Sequence, residues 1–193
     1  MTRQMPQFEN ARYLASGCNA DVFVVEFEGE EYALKANRIE QEFLCDRYAE
    51  NAEKEVSVLR ALEGIEGLPV VKAVFPGEFI REEMLLPHHP ILKYNFFRLS
   101  TPFLMTYFDA PQLLLEMPAK SFYVELEEMV TQIHVRGYAM PTDFGPTNTL
   151  VLDNRPKLID WNDAEKLPED ILERQKIITK NIVRAREMGQ YAR

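Results

Sequence analysis

The chain has 193 residues, 46% of them hydrophobic and 27% charged, with 22 basic against 31 acidic side chains and a net charge of −9. That length is enough to bury a core in one domain or two small ones, and 12 Phe, 8 Tyr and 1 Trp are too many aromatics for a disordered segment. The acidic balance argues against a nucleic-acid partner, which needs a basic footprint for phosphates, and no apolar run is long enough to span a membrane.

In chain order, the opening MTRQMPQFENARYLA has no apolar stretch after Arg3, so no Sec-type signal peptide is expected. Cys18 and Cys45 are too few for a disulfide framework, and a reducing, cytoplasmic setting follows. Tyr13–Gly17 leads into a β-branched and aromatic run, Asp21–Phe27. Glu28-Gly29-Glu30 is a turn signal, and Glu31–Lys35 reads as the returning strand. Residues 40–62 switch to helical periodicity, with Ala52, Val56, Leu59 and Leu62 on the apolar face and Gly64 as the stop. Val70–Phe75 and Pro102–Phe108 are the next strands; the stretch between them, with Pro76-Gly77 and Pro87-His88-His89-Pro90, matches no element. Residues 122–136 form a second amphipathic helix, with Ser121 as N-cap and Gly137 as stop. Thr149–Leu152 and Pro156–Ile159 make a tight hairpin around Asp153-Asn154-Arg155. Pro168-Glu169-Asp170 opens a last helix with an apolar stripe of Ile171, Ile178, Ile182, Ala185 and Met188. Sheet, helix, strands, helix, hairpin and helix, in that order, make an α+β pattern.

Lys35 falls near the end of a strand that packs apolar residues on at least one face, so its ammonium needs a carboxylate partner to stay charged. Glu55, twenty residues on, is one candidate on the first helix, beside Glu53 and Lys54 on the same turn. Asp143 and Asp160 lie at the two ends of the hairpin, with Asn148 five residues after the first. Two carboxylates and a carboxamide gathered in this way form a hard oxygen set suited to Mg²⁺ carrying phosphates. His88-His89 lack ligands at metal spacing, and His134, beside Met129, Val130 and Ile133, reads as a packing histidine. The last helix carries six basic residues against two acidic ones over 171–193, a solvated basic face by default.

Taken together in order, these residues resemble the protein-kinase-like superfamily. Ala33-Leu34-Lys35 is similar to its third-strand lysine, Glu55 in Glu-Val-Ser-Val-Leu to the pairing glutamate, and Met105-Thr106-Tyr107-Phe108 to the hinge that holds adenine. Asp143 resembles the catalytic base, Asn148 a metal ligand and Asp160 the second metal-binding aspartate. The resemblance implies a bilobal fold, with an antiparallel-sheet lobe at 1–107 and a reduced helical lobe at 108–193 that lacks a full activation segment. It implies catalytic roles for Asp143 and Lys35, and Mg²⁺, with Mn²⁺ as substitute, on Asn148 and Asp160. It implies ATP contacts from Ser16, Gly17, Cys18, Asn19, Ala20, Val22, Ala33, Lys35, Glu55, Met105, Thr106, Tyr107, Phe108 and Leu150.

Departures from that pattern are informative. The loop Ser16–Val22 has one glycine, not three, and resembles the loop of RIO-type kinases more than the usual one. Met140-Pro141-Thr142 precede Asp143 where most protein kinases have His-Arg, and Gly145 stands where they carry a lysine, so help for the transferring phosphoryl must come from elsewhere. Asp160-Trp161-Asn162 replaces Asp-Phe-Gly and looks like aminoglycoside and choline phosphotransferases. Those enzymes enclose their substrate with extra helices, whereas only 33 residues follow Asp160. The expectation is therefore a monomeric minimal serine/threonine protein kinase with a protein substrate, completed by an activating partner protein. In size it is similar to the effector kinases that bacteria deliver into host cells without a Sec signal. A small-molecule phosphotransferase and a nucleotide-binding pseudokinase are the alternatives.

Overall fold

The β-branched and aromatic runs of the first third fold as antiparallel strands in the computed structural model, which describes residues 8–16, 20–39, 45–75, 77–80 and 98–190. They are β1 (Glu9–Ser16), β2 (Ala20–Phe27) and β3 (Glu30–Ile39). Between β2 and β3 the chain reverses over two residues, Glu28 at φ 54° and Gly29 at φ 83°. Both lie in the left-handed region that a two-residue primed turn requires, and its twist matches that of the flanking strands. A helix, α1 (Cys45–Ala61), and three strands follow: β4 (Val71–Val74), β5 (Glu78–Ile80) and β6 (Arg98–Thr106). The six strands form one antiparallel sheet in the order β1-β2-β3-β6-β4, with β5 also paired to β6.

β6 begins four residues before the expected Pro102, because Asn37, Arg38 and Ile39 of β3 extend the pairing onto Ser100, Leu99 and Arg98. It stops at Thr106 rather than Phe108. α1 buries Ala52, Val56, Leu59 and Leu62 as the periodicity requires, and Gly64 at φ 91° ends the run. Its expected start at residue 40, the Gly17-Cys18-Asn19 part of the loop and Pro87-His88-His89-Pro90 lie outside the described residues.

The chain divides into two compact units, one of residues 1–56 and 70–107, the other of 57–69 and 108–193. The segment 57–69, which a single cut after residue 107 assigns to the first lobe, packs within the second unit. The first unit's core sits on one sheet face, where Phe23, Val25, Leu34, Ala36 and Leu104 pack with Phe8.

The second unit holds a 3₁₀ turn at Leu113–Leu115, α2 (Lys120–Val135), a hairpin of β7 (Thr149–Leu152) and β8 (Arg155–Leu158), and α3 (Ile171–Gln190). Trp161, Phe122, Leu59, Leu62 and Leu126 are among its largest buried side chains, and Val130 and Ile133 of α2 are buried with them. The N-cap of α2 is Ala119, not Ser121, and it makes no side-chain cap. The hairpin does that work instead: Asn154 Oδ1 accepts the Ala119 N–H at 2.6 Å, and Asn154 Nδ2 donates to Ser121 Oγ. At its other end α2 closes in a Schellman motif, with Tyr138 N–H on Ile133 O, Gly137 N–H on His134 O and Gly137 at φ 84°.

α3 starts later than its Pro168 signal. Asp170 is the cap, its Oδ1 accepting the Glu173 N–H at 2.8 Å. Ile171 is exposed, so the expected stripe does not reach the first turn; the buried positions are Asn181, Ala185 and Met188. Gly67, at φ 94°, is held against Met129 and Pro156, where a Cβ would fall 2.6 Å from the Pro156 carbonyl oxygen. Among the described residues no helix is long and apolar enough to cross a membrane.

Candidate functional site

In the first unit, strand register decides which residues share a face. Val22 pairs with Lys35, Lys35 with Phe103, Val24 with Ala33 and Ala33 with Met105. Directly opposed residues point the same way, so Ala20, Val22, Ala33, Lys35 and Met105 share the face opposite the Phe23–Leu34 core. An ammonium on this largely apolar surface stays charged only beside an anion, and α1 supplies one. Lys35 Nζ donates to Glu55 Oε1 at 2.9 Å and makes an ion-pair contact with Oε2 at 2.8 Å. The two side chains are 7% and 1% exposed. Of the carboxylates open to it from sequence, Lys35 takes Glu55, because Glu53 lies on the exposed face of the helix.

At the end of β6, Thr106 is tied to the entry of β4 through both its backbone and its hydroxyl. Tyr107 accepts a hydrogen bond from Arg12, whose guanidinium also lies 5.1 Å from the ring centroid. Ser16 contributes a backbone pairing to Asp21. Phe108 and Leu150 belong to the second unit, Phe108 beneath the Lys157 ammonium and Leu150 buried and bridged to Gln112.

In the second unit the loop 140–148 and the hairpin bring Asp143, Asn148 and Asp160 to one place. Asn148 is set by its backbone N–H on Gly145 O, and its carbonyl accepts the Ile159 N–H, which fixes it beside Asp160. Its Nδ2 donates to Asp143 Oδ2 at 2.7 Å, and among the described residues its Oδ1 is an open acceptor. Partial burial raises the Asp143 carboxyl above its ordinary value; the Asp160 charge raises it further, the Asn148 hydrogen bond opposes this, and Asp163 adds a little more. Asp160 sits at φ 64°, a left-handed conformation that only glycine adopts without cost. Trp161, next in sequence, is buried with its indole N–H on Leu158 O, so packing holds the aspartate in that strained state.

Two features of this loop have no local sequence signal. Thr142 Oγ1 donates to Asp163 Oδ2 at 3.1 Å. Arg184, from α3, donates through Nη1 to the Thr142 carbonyl at 2.9 Å, and its Nη2 lies 3.6 Å from where a side chain at Gly145 would begin. Both contacts join residues more than twenty positions apart, so only chemistry specific to the loop would have pointed to them.

His134 is a packing residue, as its sequence surroundings indicate. It is buried, and its Nε2–H faces Asn181 Oδ1 at 3.0 Å, while the same oxygen accepts the Met140 N–H. Burial lowers its pKa, because protonating the buried Nδ1 would leave a donor without an acceptor among the described residues.

The donor chemistry of Asp143, Asn148 and Asp160 fits a hard divalent cation: two like-charged carboxylates whose repulsion a cation would relieve, and an open amide oxygen. Among the described residues no three His, Cys, Asp or Glu side chains gather as a metal cluster, so any ion here depends on the carboxamide. No protein-family model matches the chain, and no curated protein matches it.

Proposed function

We propose that the chain is an ATP- and Mg²⁺-dependent phosphotransferase with a minimal protein-kinase-like fold, moving the γ-phosphoryl of ATP to a serine or threonine hydroxyl of a protein. The observation that carries this reading is the Lys35–Glu55 pair, buried in the first unit and joining a strand to a helix across twenty residues of sequence. A buried ion pair is a poor way to stabilise a fold, because desolvation offsets most of the attraction. Its presence on the face that also bears Ala20, Val22, Ala33 and Met105 is accounted for by a polyanionic ligand that the lysine must meet.

In this reading Lys35, held by Glu55, binds the α- and β-phosphates of ATP. Asn148 and Asp160 would hold Mg²⁺, which when bound neutralises phosphate charge. Asp143 accepts a hydrogen bond from the acceptor hydroxyl, orients its oxygen and takes its proton as the bond to phosphorus forms. Only residues 161–170 separate Asp160 from α3. That connection is too short for the helices that would wall in a small acceptor, which favours a protein substrate.

Labelled-ATP transfer in the presence of Mg²⁺, into a mixture of cellular proteins, tests the reading. Wild-type protein labels a protein acceptor, and Lys35→Ala and Asp160→Ala each abolish the labelling. Unchanged turnover in either variant refutes it. Transfer to an aminoglycoside or choline and to no protein would move the acceptor to the small-molecule class.

A further inference from the structure

We infer that Arg184 is a catalytic residue, the cation that neutralises charge on the transferring phosphoryl group. This deepens the phosphotransferase reading and rests on it. Phosphoryl transfer spreads negative charge over the equatorial oxygens of the moving group, and a cation placed there in advance lowers the barrier. The loop 140–148, which carries Asp143, contains no lysine or arginine of its own. The structure brings one from elsewhere. The Arg184 guanidinium is bracketed by Thr142 and Gly145, on either side of Asp143: Nη1 on the Thr142 carbonyl, Nη2 against the space above Gly145.

Three details separate this arginine from a surface cation. Arg184 is half-buried, and among the described residues its one hydrogen bond is to a backbone carbonyl, which fixes the side chain without neutralising it. Among the described residues no carboxylate pairs with it. Arg186, two positions on, is by contrast clamped on both oxygens of Glu127 at 2.9 Å, and Arg155 pairs with Glu66. Gly145 has an ordinary backbone conformation, so it is not required by its φ. The room it leaves is the room into which Nη2 points. A guanidinium anchored through one N–H keeps others for paired hydrogen bonds to phosphoryl oxygens, the geometry in which arginine excels.

The step balances without any redox partner. The acceptor oxygen forms its bond to the γ-phosphorus as the bond to the β,γ-bridging oxygen breaks. The hydroxyl proton passes to Asp143, the bond's electron pair leaves on ADP, and Arg184 keeps its proton throughout.

The test measures kcat with labelled ATP alongside equilibrium ATP binding and thermal melting. Arg184→Gln removes the charge and, being two bonds shorter, also the reach to the Thr142 carbonyl. It is expected to lower kcat about 100-fold while leaving the ATP Kd within about twofold of wild type. Arg184→Ala should fall as far, and millimolar guanidinium ion should recover part of the loss. Adding Gly145→Lys to Arg184→Ala should recover kcat about tenfold, because a Cβ at 145 meets only the Asp143 carbonyl at 3.5 Å and the guanidinium that the alanine removes. Wild-type kcat in a folded Arg184→Gln protein overturns the inference and leaves the phosphotransferase reading standing; a loss that neither guanidinium ion nor Gly145→Lys recovers marks a purely structural tether and overturns it too. If Arg184→Ala melts, the glutamine variant decides alone. A wild-type protein that transfers no phosphate to any acceptor overturns both.

Discussion

The two groups of charged residues solve opposite electrostatic problems. In the first unit, Lys35 and Glu55 are buried and paired, so the ammonium is held in place by an opposite charge. In the second unit, Asp143 and Asp160 are more open to solvent and carry like charges that raise the Asp143 pKa, while Asp160 is strained at φ 64°. The first arrangement is complete within the protein. In the second, two like charges lie close enough for one to raise the other's pKa, a repulsion that a cation would relieve. Removing one partner from each group therefore has opposite consequences for stability, even where both changes end activity.

The largest effect falls on the neutralised pair. Glu55→Ala removes a buried carboxylate from beside a buried ammonium and is expected to cost about 3–5 kcal/mol in denaturant unfolding. The double change Lys35→Met with Glu55→Leu removes both charges and should return most of that stability without restoring ATP turnover. If the double variant is as unstable as the single one, the pair contributes through packing and not through charge. In the second group, Asp160→Asn should abolish transfer while keeping Tm at or above the wild-type value. Asparagine tolerates the left-handed backbone, and the substitution removes one of the two like charges. A fall of several degrees would mean that the Asp160 carboxylate holds the fold together.

The smallest effect is the sharpest probe of the repulsion. The Asp143 carboxyl should titrate above the ordinary 3.8 in carbon NMR of the unliganded protein. It should move down more in Asp160→Asn than in Asp163→Asn, following the order of those charges as causes. Because the folded value is the raised one, the native state binds more protons than the unfolded chain between 3.8 and that value. Asp143 therefore adds stability as pH falls through this window and weighs against the fold above it. A downward shift of equal size in both variants would contradict the unequal influence of the two neighbours.

Much of this contrast was legible in the sequence because it is carried by residue spacing. The order of Asp143, Asn148 and Asp160 about a hairpin needed only an element assignment to be brought together, whereas for Lys35 the residues left Glu53 and Glu55 both open and the resemblance alone pointed to Glu55. What escaped was set by contacts distant in sequence. Ser121 looks like a helix cap, but Asn154 of the hairpin turn satisfies that helix end. Ile171 fits the stripe of α3 by period, yet it lies exposed just after the Asp170 cap, and the buried face is set further along by Asn181, Ala185 and Met188. Arg184 reads as one more cation on a basic helix until its bond to Thr142 is seen. Helical periodicity cannot tell which face a neighbouring loop will cover.

Asn181 gives the second unit a built-in gauge of its own breathing. Its single amide oxygen receives both the His134 ring N–H and the Met140 amide, so α2, α3 and the entry to the Asp143 loop meet at one acceptor. The Met140 amide is therefore protected from deuterium for as long as α3 stays docked. Its exchange rate reports how often that helix lifts, and with it how often Arg184 leaves the loop.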